Sequence, residues 1–375
     1  MRITTLRAVD FRNLAAHVSF GPAMNVLAGR NGQGKTNVLE AIHVAATGRS
    51  FRTSRTADLL CTGAAACAIE LVVDAGGVAV PVSYRLSAAE RVLSVAGREN
   101  AERRDLADLL RVVFFGPDDL SLVKGSPSQR RDFLDDALAD LDPACLDHAR
   151  SYSRLVRERN LLLRDFAAGR PPPGGLMEAY EEEMAAAGAQ VLHARLAFAD
   201  ELAAAARVFV AEQTAGALEL AVTYEGTLSL PAPCPDCAAI AAALRDALVR
   251  RRSADMGTGW TSVGPHLDDL GLLLNGRPAR FFASQGEQRQ VAVGLKLAQV
   301  AILREQCGSP PVLLLDDVLS ELDPDRARIL VERLAQWEVQ TLITTTVVPD
   351  VLLEGTACFF DVDAGSITPQ GVSRA

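Results

Sequence analysis

The run Gly29-Arg30-Asn31-Gly32-Gln33-Gly34-Lys35-Thr36 constrains this chain more than any other feature. It follows a short apolar segment at 24–28 and precedes an apolar-periodic stretch at 35–47, so it reads as the loop between a strand and a helix. Gly29, Gly32 and Gly34 let backbone N–H groups turn inward around a phosphate, and the helix N-terminus behind them adds partial positive charge. In such a loop Gly29, Arg30, Asn31, Gly32, Gln33 and Gly34 cradle the nucleotide, Lys35 brings a full charge to the β- and γ-oxygens, and Thr36 offers a hydroxyl to Mg²⁺. The chemistry expected is therefore that of an ATP site.

A phosphate loop of this kind works with a carboxylate at the end of a neighbouring buried strand. The apolar run Pro311-Val312-Leu313-Leu314-Leu315 ends in Asp316-Asp317 and supplies one. Asp316 is expected to hold Mg²⁺ through water, and Asp317 to polarise the attacking water. About 280 residues separate Lys35 from Asp316, far more than a compact single-lobed NTPase places between these elements, so an insertion must intervene. Ser284-Gln285-Gly286-Glu287-Gln288-Arg289 opens a helix roughly thirty residues before the second motif. Ser284 and Glu287 suit a capping box, and Ser284 with Gly286 also suits contact with a γ-phosphate at the helix N-terminus. Ser320-Glu321-Leu322-Asp323 follows the Asp pair directly, and Asp323-Pro324 is a good helix start.

The rest of the chain reads as an α/β head split by a helical arm. Segments 2–11 and 24–28 read as strands, 68–73, 78–86 and 92–95 as a meander with a turn at Gly76-Gly77, and 112–115 as a further strand. From 126 to 213 the periodicity is helical, with Ser126-Pro127 as a start and helices at 144–167 and 176–213 broken by Gly169-Arg170-Pro171-Pro172-Pro173-Gly174-Gly175 and folded into an antiparallel hairpin. Short strands and loops return near 250, then a helix at 285–304 and buried strands at 312–315 and 341–345. The expected division is a head of 1–115 and 255–375 and an arm of 116–254.

The order of Gly29 to Thr36, Ser284 to Arg289, Asp316-Asp317 and Ser320 to Asp323 resembles the SMC-like branch of ABC ATPases. Within it, Phe115 to Lys124, Gly125 to Asp135, Thr261 to Leu270 and Thr344-Thr345-Thr346 are similar to the RecF family, and these matches spread over the whole chain. The resemblance implies a P-loop ABC-type head with an inserted arm, closing as an ATP-dependent homodimer in which Ser284, Gly286 and Asp323 meet nucleotide held by the other copy. It further implies DNA binding at junctions of double and single strands, with RecR and RecO as partners in loading RecA. Most ABC heads carry Glu where this chain has Asp317; the side chain is one methylene shorter, so slow, weak ATP hydrolysis is expected. Leu267 stands where the family usually has a basic residue. Another SMC-like head is the alternative. A transporter ATPase would need a coupling-loop Gln and a switch His; no Gln occurs between Gln33 and Gln129, and Thr346 ends the strand where that His would follow. A nuclease-fused head would need an acidic metal-binding domain after Asp323, where only about fifty residues remain.

With a net charge of −9, contact with DNA must come from local clusters. Arg150, Arg154, Arg157 and Arg164 fall within about 80° of one helical face, with Tyr152, Leu155, Leu162, Leu163 and Phe166 opposite and Arg159 breaking the pattern. Such a stripe suits either DNA or plain solvent. Arg250-Arg251-Arg252 and Arg103-Arg104 are similar candidates, whereas Arg130-Arg131 are expected to tie arm to head. The seven scattered cysteines and the absence of an export signal suit reduced thiols in the cytoplasm. Cys234 and Cys237 have metal-like spacing but no second Cys or His pair, so they read as loop thiols. No run of 18 apolar residues suggests a membrane span.

Overall fold

The computed structural model describes residues 1–170, 173–231, 234–353 and 357–372. It divides into two compact units, Met1–Asp119 with Leu303–Ala375, and Leu120–Ile302. The proline break between the long helices includes Pro171 and Pro172, which lie outside the described residues.

The first unit contains two six-stranded sheets. One is antiparallel and runs Leu14–Ser19, Arg2–Phe11, Ala66–Ala75, Val78–Ser87, Arg91–Val95, Arg98–Glu99. The other runs Ser366–Val372, Ala357–Asp363, Met24–Ala28, Thr341–Thr345, Val312–Asp316, Val112–Phe115, parallel except for the hairpin at its first edge. The buried face of helix Lys35–Thr47 is wide and largely apolar because both sheets contribute to the core it enters: Val38, Leu39, Ile42 and Val44 join Leu6, Ile69 and Val82 of one sheet and Leu27, Leu314 and Leu342 of the other. Each fully buried Leu or Ile there contributes roughly 1.5–3 kcal/mol. Glu40 is the exception, a fully buried carboxylate gripped by Arg12 at 3.0 and 2.7 Å, by Arg52 at 3.3 Å and by the Ser50 hydroxyl.

The second unit packs helices Pro143–Ala167, Leu176–Gln213 and Cys237–Thr258 around Tyr152, Leu155, Met184, Leu192, Leu244 and Leu248. The first two run antiparallel, since Tyr152 lies against Gly188 and Arg159 against Glu181. A Cβ on Gly188 would stand 2.6 Å from Leu244, so the helices there approach only because that position is glycine. A three-stranded sheet of Arg277–Pro278, Asp269–Leu274 and Leu220–Glu225 completes the unit. The expected return to the head near 255 therefore differs from the observed division, which falls at Leu303. The physical reason lies in residues 255–269. Asp255 binds Arg159 at 2.8 Å, Thr261 binds Asn160 at 2.7 Å, the His266 ring meets the Tyr152 hydroxyl at 2.8 Å, and both carboxylate oxygens of Asp269 accept from Arg130 at 2.7 Å. Arg130 and Arg131 thus join segments of one unit, Arg131 donating to the Asp268 carbonyl at 2.7 Å.

Candidate nucleotide site

The phosphate loop leaves the C-terminal end of strand Met24–Ala28, where ligands settle on open α/β sheets. Helix Lys35–Thr47 starts from Gly34, whose left-handed φ of 110° no side chain would tolerate easily, and a Cβ there would also strike the Asn13 amide at 2.8 Å. At Gly29 a Cβ would collide with the Val362 carbonyl oxygen. Arg30, Asn31 and Gly32 are exposed, and nothing lies within 4 Å of where a Cβ on Gly32 would stand, so the mouth of the loop is open. Behind it the loop is clasped. The Ala364 N–H donates to the Gln33 side-chain oxygen at 2.7 Å, the Gly365 N–H to the Gln33 carbonyl at 2.8 Å, and the Asn13 amide to the same carbonyl at 3.3 Å. Gln33 therefore points its side chain to the loop's back rather than its mouth.

Lys35 is largely buried and its ammonium donates to the carbonyls of Gly29 at 2.7 Å and Arg30 at 3.0 Å. Burial lowers its pKa from the usual lysine value, and the nearby carboxylates of Asp317 and Asp316 oppose that shift. A cation anchored on the loop's own carbonyls is placed to meet the charge of an anionic phosphate. Strand Thr341–Thr345 lies between the loop's strand and Val312–Asp316, with Thr344 in register with Leu27 on one side and Asp316 on the other. The Thr36 hydroxyl nevertheless reaches Asp316, donating across 2.8 and 3.0 Å to its two carboxylate oxygens, and the Thr344 hydroxyl donates to Asp316 at 2.6 Å. This cluster of hard oxygens fits Mg²⁺, which takes a hydroxyl and a carboxylate while keeping several waters. Asp317 adopts a left-handed φ of 55°, its N–H donating to the Thr344 hydroxyl at 3.0 Å, while Ser320 lies 2.7 Å from both its carbonyl and a carboxylate oxygen.

The phosphate loop, Asp316 and Asp317 thus come together as the sequence suggests. Thr344 and Ser320 join them, and the sequence reading did not single them out as site residues. Asp323 caps its own helix, accepting from the Arg326 N–H at 3.1 Å. In the second unit Ser284 and Glu287 form the capping box: the Ser284 N–H donates to the Glu287 carboxylate at 2.7 Å and the Glu287 N–H to the Ser284 hydroxyl at 3.3 Å. These bonds hold the Glu287 carboxyl below its usual pKa. Ser284 and Gly286 remain exposed.

The arginine clusters fare unequally. Arg150, Arg154, Arg157 and Arg164 are exposed, with Arg150 3.8 Å from Asp147, Arg154 3.4 Å from Glu158 and the Arg164 guanidinium over Trp260. Phe166 is exposed, so the apolar face of that helix ends before its last turn, and the exposed Leu161 lies among the arginines of the stripe. Arg159, by contrast, is fully buried between Glu181 at 3.0 Å and Asp255 at 2.8 Å. Arg252 binds Glu181 and Glu178, leaving Arg250 and Arg251 exposed, and Arg104 pairs with Glu102 at 3.0 Å. Cys234 lies 3.9 Å from a His193 ring nitrogen, and Cys237 donates to Gln190 at 3.6 Å. Leu267 is exposed. Among the described residues no helix is long and apolar enough to cross a membrane.

The family model for the RecF/RecN/SMC N-terminal domain matches residues 2–358. The DNA replication and repair protein RecF of Anaeromyxobacter dehalogenans (strain 2CP-C) is 39% identical, covering 98% of this chain and 99% of its own length. The RecF of Heliobacterium modesticaldum is 36% identical over 98% of this chain and 99% of its own. A solved structure described as the recombination mediator protein RecF-ATPrS in the RecFOR pathway is similar at a TM-score of 0.90 and 28% identity, covering 99% of this chain and 98% of that one. An Smc head bound to the C-terminal winged-helix domain of ScpA shares the fold, with a TM-score of 0.56 at 16% identity and coverage of 100% and 98%. By sequence over its whole length and by the build of its phosphate loop, this chain belongs to the RecF family of DNA replication and repair proteins, on an SMC-like ABC ATPase head.

Proposed function

We propose that the chain is an ATP-driven switch that closes as a homodimer on DNA and reopens after slow hydrolysis. The observation that carries this reading is the direct bond from the Thr36 hydroxyl to Asp316 beside the largely buried Lys35, because it assembles a phosphate and metal site from segments about 280 residues apart. Thr36 and Asp316 would hold Mg²⁺, whose chemistry when bound is to neutralise charge developing on the phosphate oxygens. Lys35 and the loop from Gly29 to Thr36 bind and orient the phosphates. Asp317 accepts the proton of the attacking water as general base, and its short side chain fits a low turnover.

Ser284, Gly286 and Asp323 serve the nucleotide of a second copy, which makes closure depend on ATP. The exposed arginines from Arg150 to Arg164 contact phosphates of duplex or junction DNA, and DNA in turn stimulates hydrolysis. RecR and RecO are the protein partners and the cytoplasm the place of work, as the RecFOR pathway named for the similar structure supports. The head comprises the segments around 1–115 and the C-terminal strands, with the intervening helices as a lever.

Static light scattering with and without ATP tests the reading, together with binding to duplex, single-stranded and gapped DNA. ATP should double the mass of the wild type and leave Lys35→Ala monomeric. A mass that ignores ATP would overturn the proposal.

A further inference from the structure

Asp317 is a non-glycine residue held at φ 55°, in the left-handed region, at the point where its strand ends. Asp adopts that region more readily than most residues, yet it still needs neighbours to hold it there. Two hydroxyls do so. Thr344 Oγ1 accepts from the Asp317 N–H at 3.0 Å and spends its own proton on Asp316 at 2.6 Å, so a single side chain fixes the backbone of one carboxylate and the side chain of the other. Ser320 Oγ lies 2.7 Å from the Asp317 carbonyl and 2.7 Å from its carboxylate, one proton facing two acceptors. The result is a continuous chain of bonds from Thr36 through Asp316, Thr344 and Asp317 to Ser320, ending in the segment that leads to Asp323.

We propose that Thr344 and Ser320 are positioning residues that aim the Asp317 carboxylate for catalysis. The inference rests on the reading of Asp317 as general base. Thr344 belongs to the strand between the loop strand and the Asp316 strand, so it carries the alignment of the metal side of the site to the base. Ser320 carries the alignment of Asp317 to the segment before Asp323: when its proton goes to the carbonyl the carboxylate is released, and when it goes to the carboxylate the carboxylate is steered. Ser320 bonds only to Asp317, so it acts on turnover rather than on holding ATP, whereas Thr344 also touches the metal side of the site through Asp316.

The test is steady-state ATPase kinetics with DNA present, on Ser320→Ala, Thr344→Val and Thr344→Ser, with Asp317→Asn as reference and ATP affinity measured separately on each. A misaimed base loses part of the roughly 10²–10⁴-fold that general-base catalysis supplies, so kcat should fall about tenfold in Ser320→Ala and more in Thr344→Val. The Kd for ATP should stay within about twofold of wild type in Ser320→Ala. Thr344→Ser, which keeps the hydroxyl, should recover most of the loss. Ser320 is exposed, so its replacement leaves folding intact even if Thr344→Val does not fold. Wild-type kcat in Ser320→Ala beside an inactive Asp317→Asn would overturn the positioning role while sparing the general base. Full turnover in Asp317→Asn would overturn both. Weakened ATP binding with unchanged kcat, or failure of Thr344→Ser to recover, would show a merely structural role.

Discussion

Replacing Arg159 with Met tests how the arm is held together. The guanidinium is fully buried, donating to Asp255 at 2.8 Å, to Thr261 at 2.9 Å and to Glu181 at 3.0 Å. Met keeps the apolar stem and removes the charge. Breaking a buried ion pair from one side costs about 3–5 kcal/mol, because the partner is left charged and desolvated. Here Glu181 keeps Arg252 at 3.1 Å, and Asp255 keeps, among the described residues, only the Ser262 hydroxyl at 2.6 Å, so the penalty concentrates on Asp255 and should sit near the low end, about 3 kcal/mol. Adding Asp255→Asn removes the stranded charge and should return at least ~1 kcal/mol. Urea unfolding reports this through Trp260, next to Thr261, once the second of the two tryptophans is silenced by Trp337→Phe. With a slope of about 2 kcal/mol/M the midpoint should drop by roughly 1.5 M. A drop under about 0.5 M, or a double variant no more stable than the single, would refute the reasoning.

Three further outcomes follow from the geometry. Gln33→Ala cuts the side-chain clasp to Ala364 and should raise the KM for ATP severalfold with kcat unchanged; an unchanged KM would show that the backbone bonds suffice. Reversing Arg154 and Arg157 to Glu should weaken DNA binding and flatten its salt dependence by about one log–log unit per lost phosphate contact, leaving ATP binding intact; constants that stay put would make the stripe a solvated face. Burial lowers the pKa of His266 from its usual value, and its Nε2 faces the Thr261 carbonyl, so that Nδ1 accepts from Tyr152. The unfolded ring then takes up a proton more readily than the folded one, so arm stability should be fully present above about pH 6.5 and fall as pH drops below it. His266→Gln should flatten that part of the urea-midpoint profile, and an identical profile would refute it.

The phosphate loop and the Asp pair were legible because each is a local motif whose flanking strand and helix are written in the adjacent residues. Strands and helices with strong periodicity were legible for the same reason, down to the 38-residue helix Leu176–Gln213. Thr344 and Ser320 were not, since their roles depend on which strand lies between two others and on a backbone turn no pattern announces. The short strands Leu14–Ser19 and Leu220–Glu225 depend on partners elsewhere in the chain, and helix Cys237–Thr258 has too even a spread of alanine and arginine to declare a face. Arg159 looked like a flaw in an apolar stripe because its partners Glu181 and Asp255 lie 22 and 96 residues away. The expected return to the head near 255 differs from the division at Leu303 for that reason, as residues 255–269 look like loop and strand while their bonds reach back into the helices.

The central claim is that ATP closes two copies around sites to which each contributes, and mixing two inactive variants tests it directly. Lys35→Ala cannot hold nucleotide, and Ser284→Arg places bulk and charge where the partner's γ-phosphate must fit. A heterodimer of the two retains one composite site, with Lys35 from one copy and Ser284 from the other. ATP hydrolysis per protein, near zero for each variant alone, should partly recover on mixing and peak near equal amounts. Two folded variants that show no recovery at any ratio would contradict the account, leaving Ser284 as no more than the cap of its own helix.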